Sequence, residues 1–212
     1  MKCAKPSGVG LVLAIVLASG CALTSKAELV DIRYFSPEQV KPHLSSAGGP
    51  RATLNGAPEV RLGRVTSGAN LRERIAFRDD AYELGYYEDR RWTERPETFV
   101  RRELGRTLFE ERGFRRALTG DAPTLDVEVI AFDELKLATG HGVRVQLKVV
   151  LMGDRDVLHE ETLTIERAVT GGKDAKFEAV VVAMASALEG ACEEVAEHVA
   201  AAVASAKAGA TR

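Results

Sequence analysis

The stretch Val143-Arg144-Val145-Gln146-Leu147-Lys148-Val149-Val150-Leu151 alternates apolar and polar side chains with one interruption, at Val150. Successive side chains of a β-strand point to opposite faces. This is therefore a strand with one face buried and the other wet. Gly140-His141-Gly142 turns into it and Gly153-Asp154 turns out of it. Upstream, Leu125, Val127 and Val129 alternate with Asp126, Glu128 and Ile130; downstream, Leu158 to Val169 reads as a further strand. Strands joined by short turns predict a meander.

Working outward, Gly171-Gly172 breaks the chain and Asp174 is a candidate N-cap. A long helix is expected over Ala175 to Ala206, with Phe177, Val181, Met184, Leu188, Val195 and Val199 as its apolar seam and Gly190 as a candidate bend. Its length exceeds a typical strand of roughly 17–20 Å. The excess is available to another subunit or to a partner protein, unless the helix bends at Gly190 or frays after Ala200.

The first half repeats the scheme. Ile32 to Phe35 is a strand stopped by Ser36-Pro37, and residues 41–58 have loop composition. Glu59 to Val65 is an imperfect strand with Val60, Leu62 and Arg64 on one face. Leu71 to Arg78 and Tyr82 to Glu88 form a hairpin around Arg78-Asp79-Asp80-Ala81, with Ile75 and Phe77 sharing a face. Pro96 suits the first turn of a helix that runs to Arg112 and stops at Gly113. Val100, Leu104 and Leu108, with Phe99 beside them, give that helix its apolar stripe, and Phe114 to Leu118 is a short strand. Strand groups each followed by one helix predict a single α+β domain. Its sheet is antiparallel or mixed, with two main helices packed on one face.

The N-terminus adds a location. Lys2 and Lys5 precede the apolar run Val9 to Ala18, the layout of an export signal. Ten residues reach only about 15 Å as a helix, half of a ~30 Å hydrocarbon core. The run Leu17-Ala18-Ser19-Gly20-Cys21 resembles the lipobox of bacterial lipoproteins. That resemblance implies cleavage between Gly20 and Cys21, and acylation of the thiol and the new α-amine of Cys21. Residues 1–20 are then a signal peptide, 21–30 a lipidated tether, 31–206 the domain and 207–212 a tail. Two acyl chains anchor a protein stably without any segment in the bilayer. Ala22, rather than an aspartate, follows the lipidated cysteine; in enterobacterial lipoproteins this favours the outer membrane.

The net charge is −2, and losing Lys2 and Lys5 makes the mature chain more acidic. That gives no electrostatic reason to expect nucleic acid. Of three cysteines, Cys3 leaves with the signal and Cys21 is acylated. Cys192 then stands alone, without an intramolecular disulfide partner, as a buried inert thiol on the long helix.

The stretch Tyr82 to Leu108 (YELGYYEDRRWTERPETFVRRELGRTL) runs from an aromatic strand through Tyr86-Tyr87 and Arg90-Arg91-Trp92 to the helix opened by Pro96. With Tyr34-Phe35, the lipobox and the two-half layout, it resembles the ABC-type transport auxiliary lipoprotein family. The loop over residues 36–58 is longer and richer in Gly and Pro than that family's pattern. The resemblance implies an outer-membrane lipoprotein on the periplasmic face, beside an ABC transporter and an MCE-domain protein, as in paraquat-inducible systems. It further implies a part in lipid movement between the membranes and in outer-membrane integrity, without catalysis and without a cofactor. Contact with lipid and self-association are both compatible with it. An adaptor lipoprotein that activates a cell-wall synthase or assembles an envelope secretion complex is the alternative. Neighbouring genes for a permease, ATPase and MCE protein, or for cell-wall synthesis, separate the two.

Tyr86, Tyr87, Arg91 and Trp92 are the candidate partner interface, because Arg and Trp are enriched at binding hot spots. For Trp92 the competing reading, a plug between sheet and helix, is the stronger. The pairs Arg90-Arg91, Arg101-Arg102 and Arg115-Arg116 are interleaved with acids and read as a solvated mixed-charge face. Asp79-Asp80 reads as a turn. None of His43, His141, His159 and His198 pairs with another His or Cys at metal-ligand spacing, so no metal site is expected. No nucleophile elbow, His-Glu-x-x-His or P-loop is present, and an exported hydrolase has no motif behind it.

Overall fold

A computed structural model describes residues 30–38, 57–80, 82–138 and 140–210. Gly20, Cys21, most of the 41–58 loop and the last two residues lie outside the described residues. The elements are β1 (Arg33–Phe35), β2 (Glu59–Ser67), β3 (Arg74–Arg78), β4 (Gly85–Trp92), α1 (Pro96–Gly105), β5 (Arg115–Arg116), β6 (Thr124–Leu137), β7 (Gly140–Met152), β8 (Val157–Ala168) and α2 (Phe177–Ala210). Eight strands form one mixed sheet, and the described part of Ile32–Arg212 is a single unit. The α+β class with two helices on one face is as the patterning predicts.

The meander β6-β7-β8 is antiparallel throughout. Val143, Val145, Leu147, Val149 and Leu151 are all fully buried, as their alternation requires. β6 runs on to Leu137, well past the alternating part that ends at Ile130. Its register shifts between Val129 and Ala131, which marks a bulge. The bulge changes which side chains face the helices and hides the strand's second half from a period-two pattern. β7 pairs with β6 along its whole length. The opposite edge of β6 is shared: β2 runs parallel to Leu125–Val129 and β3 runs parallel to Asp133–Leu135.

The hairpin exists but is shifted. β3 starts at Arg74, and β4 runs from Gly85 to Trp92 rather than from Tyr82 to Glu88. The Asp80 carboxylate accepts N–H bonds from Tyr82 and Glu83, each 2.7 Å, which makes a local Asx-type turn before β4 begins. β2 also departs from the simple alternation. A register shift between Leu62 and Val65 turns Arg64 outward and Val65 inward. Gly63 permits this shift, because a Cβ there would sit 2.1 Å from Asp126 Oδ1.

α1 carries Pro96 at its start and buries Phe99, Val100 and Leu104. Beyond Gly105 it widens into a π-type turn over Arg106–Glu111 that buries both Thr107 and Leu108, and the chain leaves at Gly113 with φ 73°. α1 lies on β2 and β6, and α2 lies on β7 and β8. Trp92 packs edge-on against Phe99 and Phe132, with centroids 6.3 and 5.5 Å away.

α2 begins at Phe177, because Asp174 sits in a short 3-10 turn instead of capping the helix. Its helical hydrogen bonding continues through Gly190 to Ala210. Gly190 is a point of close approach: a Cβ there would lie 2.7 Å from the Arg167 guanidinium on β8. At about 1.5 Å per residue, α2 reaches about 51 Å. The strands below it are also long, about 43 Å for the 13 residues of β7 at ~3.3 Å each. The helix is therefore matched to its own sheet, and its buried positions continue to Val203.

Leu147→Ala is expected to cost about 2–5 kcal/mol, from lost transfer energy and a cavity that cannot collapse. Val182→Ala, on the outer side of α2 at 64% exposure, is expected to stay within about 0.5 kcal/mol of wild type. Urea unfolding of the two variants checks both values.

Candidate functional site

Three parts of the chain meet beside the start of α2. β4 brings Tyr87 and Arg90, the second half of β6 brings Glu134 and Lys136, and β7 brings His141. Phe177 and Val180 come from the first turn of α2. Together with Arg33 of β1 and Lys176 they line a groove of about 850 Å³.

Its floor is a buried polar network. The Tyr87 hydroxyl donates to Glu134 Oε2 at 2.7 Å, and His141 Nε2 lies 2.6 Å from Glu134 Oε1. His141 Nδ1 lies 2.6 Å from the Gly172 carbonyl oxygen. A carbonyl only accepts, so Nδ1 carries a proton. Glu134 is 2% exposed, and the network satisfies its carboxylate where water cannot. Burial and the neighbouring Glu134 carboxylate push the Tyr87 phenol well above its ordinary range. A buried Glu–His pair also suggests acid–base chemistry. Here both ring nitrogens are engaged within the network.

The walls are cations stacked on rings. The Arg90 guanidinium lies 4.3 Å from the Tyr87 ring centroid and 4.4 Å from that of Phe177. Lys136 Nζ lies 3.9 Å from the Phe77 centroid and 4.3 Å from that of Tyr87. Phe177 also meets Phe35 edge-on at 4.7 Å. The positive heads are thus held over apolar rings, in geometry suited to cation–π attraction. Such a groove presents flat apolar surface together with fixed positive charge.

The candidate interface residues separate. Trp92 is 1% exposed and belongs to the core. As a contact residue it is therefore corrected, and its role is the plug between sheet and helix. Tyr86 and Tyr87 are half-buried neighbours on β4, pointing to opposite faces. Tyr86 donates to the Asn70 carbonyl at 3.0 Å. Arg91 is also half-buried and donates to the carbonyls of Tyr87 and Arg90, both at 2.8 Å, so it braces the strand. The residues around Tyr87 that pattern reading missed are Glu134, Lys136 and His141. By pattern His141 reads only as part of a Gly-flanked turn, and the other two lie in the bulged half of β6.

On the outer face, Asp133 is 1% exposed and bound by Arg78 at 2.7 Å and by Arg144 through two bonds at 2.9 and 3.1 Å. Arg102 pairs with Glu94 and Glu38, and Arg106 with Glu103 and Glu111. These pairs follow the mixed-charge reading. The fold also brings His159 and His198 together, with rings 5.6 Å apart, although they are distant in sequence. Among the described residues no helix is long and apolar enough to cross a membrane.

The raised Tyr87 phenol has a stability consequence. The folded state holds this proton above the unfolded phenol's value of about 10, so the stabilisation is complete below that pH and is lost as pH rises beyond it. In an alkaline titration followed by tyrosinate absorbance, one step should lag until the protein unfolds, and Tyr87→Phe should remove that step.

Comparison with known proteins places the chain. A crystal structure of a Xanthomonas campestris protein of the DUF330 family is similar to it, with TM-score 0.67 and 17% identity over 82% of this chain and 99% of that one. A Chlamydia trachomatis hypothetical protein is similar over 69% of this chain and 98% of its own, with TM-score 0.50 and 10% identity. At such identities these likenesses concern the fold alone. No functionally curated protein matches the sequence. Residues 43–196 match the family model described as "ABC-type transport auxiliary lipoprotein component". With most of its length inside that match and its fold shared with a solved DUF330 protein, the chain belongs to the ABC-type transport auxiliary lipoprotein family.

Proposed function

We propose that this protein is the lipid-anchored, non-enzymatic accessory of an ABC/MCE lipid-transport system. It would be held at the periplasmic face of the outer membrane by acylated Cys21. The observation that carries the reading is the family match over residues 43–196, and the lipobox before Cys21 supports it. Nothing in the match favours a cell-wall or secretion adaptor.

Docking is the proposed mechanism. Cys21 fixes the position of the domain, and the accessible parts of Tyr86 and Arg91, or of Tyr87 on the other face of β4, make the contact with the transporter's periplasmic part. Trp92 holds that strand from within the core.

Tagged full-length protein should co-purify with the system's MCE-domain protein and fractionate with outer membrane. Cys21→Ala should leave the domain folded, release it from the membrane fraction and abolish its function. Function fully retained by the soluble form, or repeated failure of co-purification with lipidation and folding verified, would refute the proposal.

A further inference from the structure

A second polar cluster lies between β8 and α2. His159 and Glu161 are two residues apart on β8 and therefore point to the same face, the one that α2 covers. His198 reaches the same point from α2. One ligand atom from each of His159, Glu161 and His198 lies within 4.8 Å of the other two. Glu161 Oε1 is 3.0 Å from His159 Nε2 and 2.5 Å from His198 Nδ1.

A hydrogen-bonded His-Glu-His chain would account for the contact with His198. It leaves His159 unexplained. His159 Nε2 is buried and forms no regular hydrogen bond, although Glu161 Oε1 lies 3.0 Å from it. A buried ring nitrogen left without a partner is costly. An ion placed among the three donors removes that cost. It takes the lone pairs of both imidazoles and one carboxylate oxygen. Bonds of about 2.0–2.2 Å to such ligands put neighbouring donors about 3.3 Å apart around a tetrahedral ion. The two spacings from Glu161 Oε1 need only sub-ångström expansion to reach that value. Two imidazoles and one carboxylate suit zinc or a similar borderline ion better than calcium or magnesium, which prefer all-oxygen shells. His159, Glu161 and His198 retain 30, 22 and 39% side-chain exposure, so an ion can enter and a fourth position stays open. Glu194, one helical turn before His198, adds negative charge beside the site.

We propose that His159, Glu161 and His198 bind one divalent transition-metal ion of the zinc type, which ties the middle of the last strand to the long helix.

Untagged full-length protein, stripped of metal, is titrated with zinc by calorimetry and with cobalt by visible absorption. The expected result is one ion per chain, four-coordinate cobalt bands, and a rise in melting temperature with zinc. His159→Ala, Glu161→Gln and His198→Ala should each weaken zinc binding by more than roughly a hundredfold, beyond the loss usual for outer-shell partners. Glu160→Gln, on the opposite face of β8, should leave binding unchanged. Glu161→Gln is isosteric and carries the test should a histidine variant fail to fold. Absence of binding at millimolar metal, or zinc affinity unaltered by Glu161→Gln, would overturn the site and leave a hydrogen-bonded cluster only.

Discussion

A strand in the middle of a sheet must satisfy hydrogen bonds along both edges. β6 is 14 residues long, and the rest of the domain is arranged around that requirement. β7 serves one edge completely. No single strand serves the other; β2 takes the first half and β3 the second. The bulge after Val129 sits at the handover, where a bend in the strand lets two partners approach from different directions. The first half of β6 then forms the floor under α1. The second half turns Phe132 into the core, Asp133 onto the outer face and Glu134 toward the start of α2.

This division explains why part of the molecule was legible in the sequence and part was not. Leu125 to Val129 and Val143 to Leu151 announce themselves because each alternation meets one uninterrupted apolar layer. The segment Ala131 to Leu137 does not, because the bulge resets the phase and two acids occupy buried positions. Each is acceptable only through partners supplied from other strands: Arg78 and Arg144 for Asp133, Tyr87 and His141 for Glu134. Removing one partner of such a group leaves a desolvated charge, which is why these sets act as units. Sequence spacing shows none of these pairings. The approach of His159 to His198 depends in the same way on where α2 crosses β8.

Trp92 illustrates a residue whose chemistry is readable while its position is not. The tryptophan and its flanking arginines suit both a binding surface and a core plug in composition, with the plug the stronger reading for Trp92. The two uses are separated by Phe132, a residue of the bulged half-strand, whose ring completes the pocket that Trp92 fills. The surface character of the segment rests instead on Tyr87 and Arg90, whose rings and charges meet Phe177 from a distant part of the chain.

The shared edge of β6 also dictates an order of events during folding. β2 and β3 pair in parallel with a strand that follows them only after a helix and long connections, and such non-local pairings form slowly. A chain passing N-terminus first through a narrow pore would deliver β2, β3 and α1 before β6 exists to receive them. Premature closure of the first half is therefore built out of the topology, and the arrival of Thr124–Leu137 decides when the domain can close.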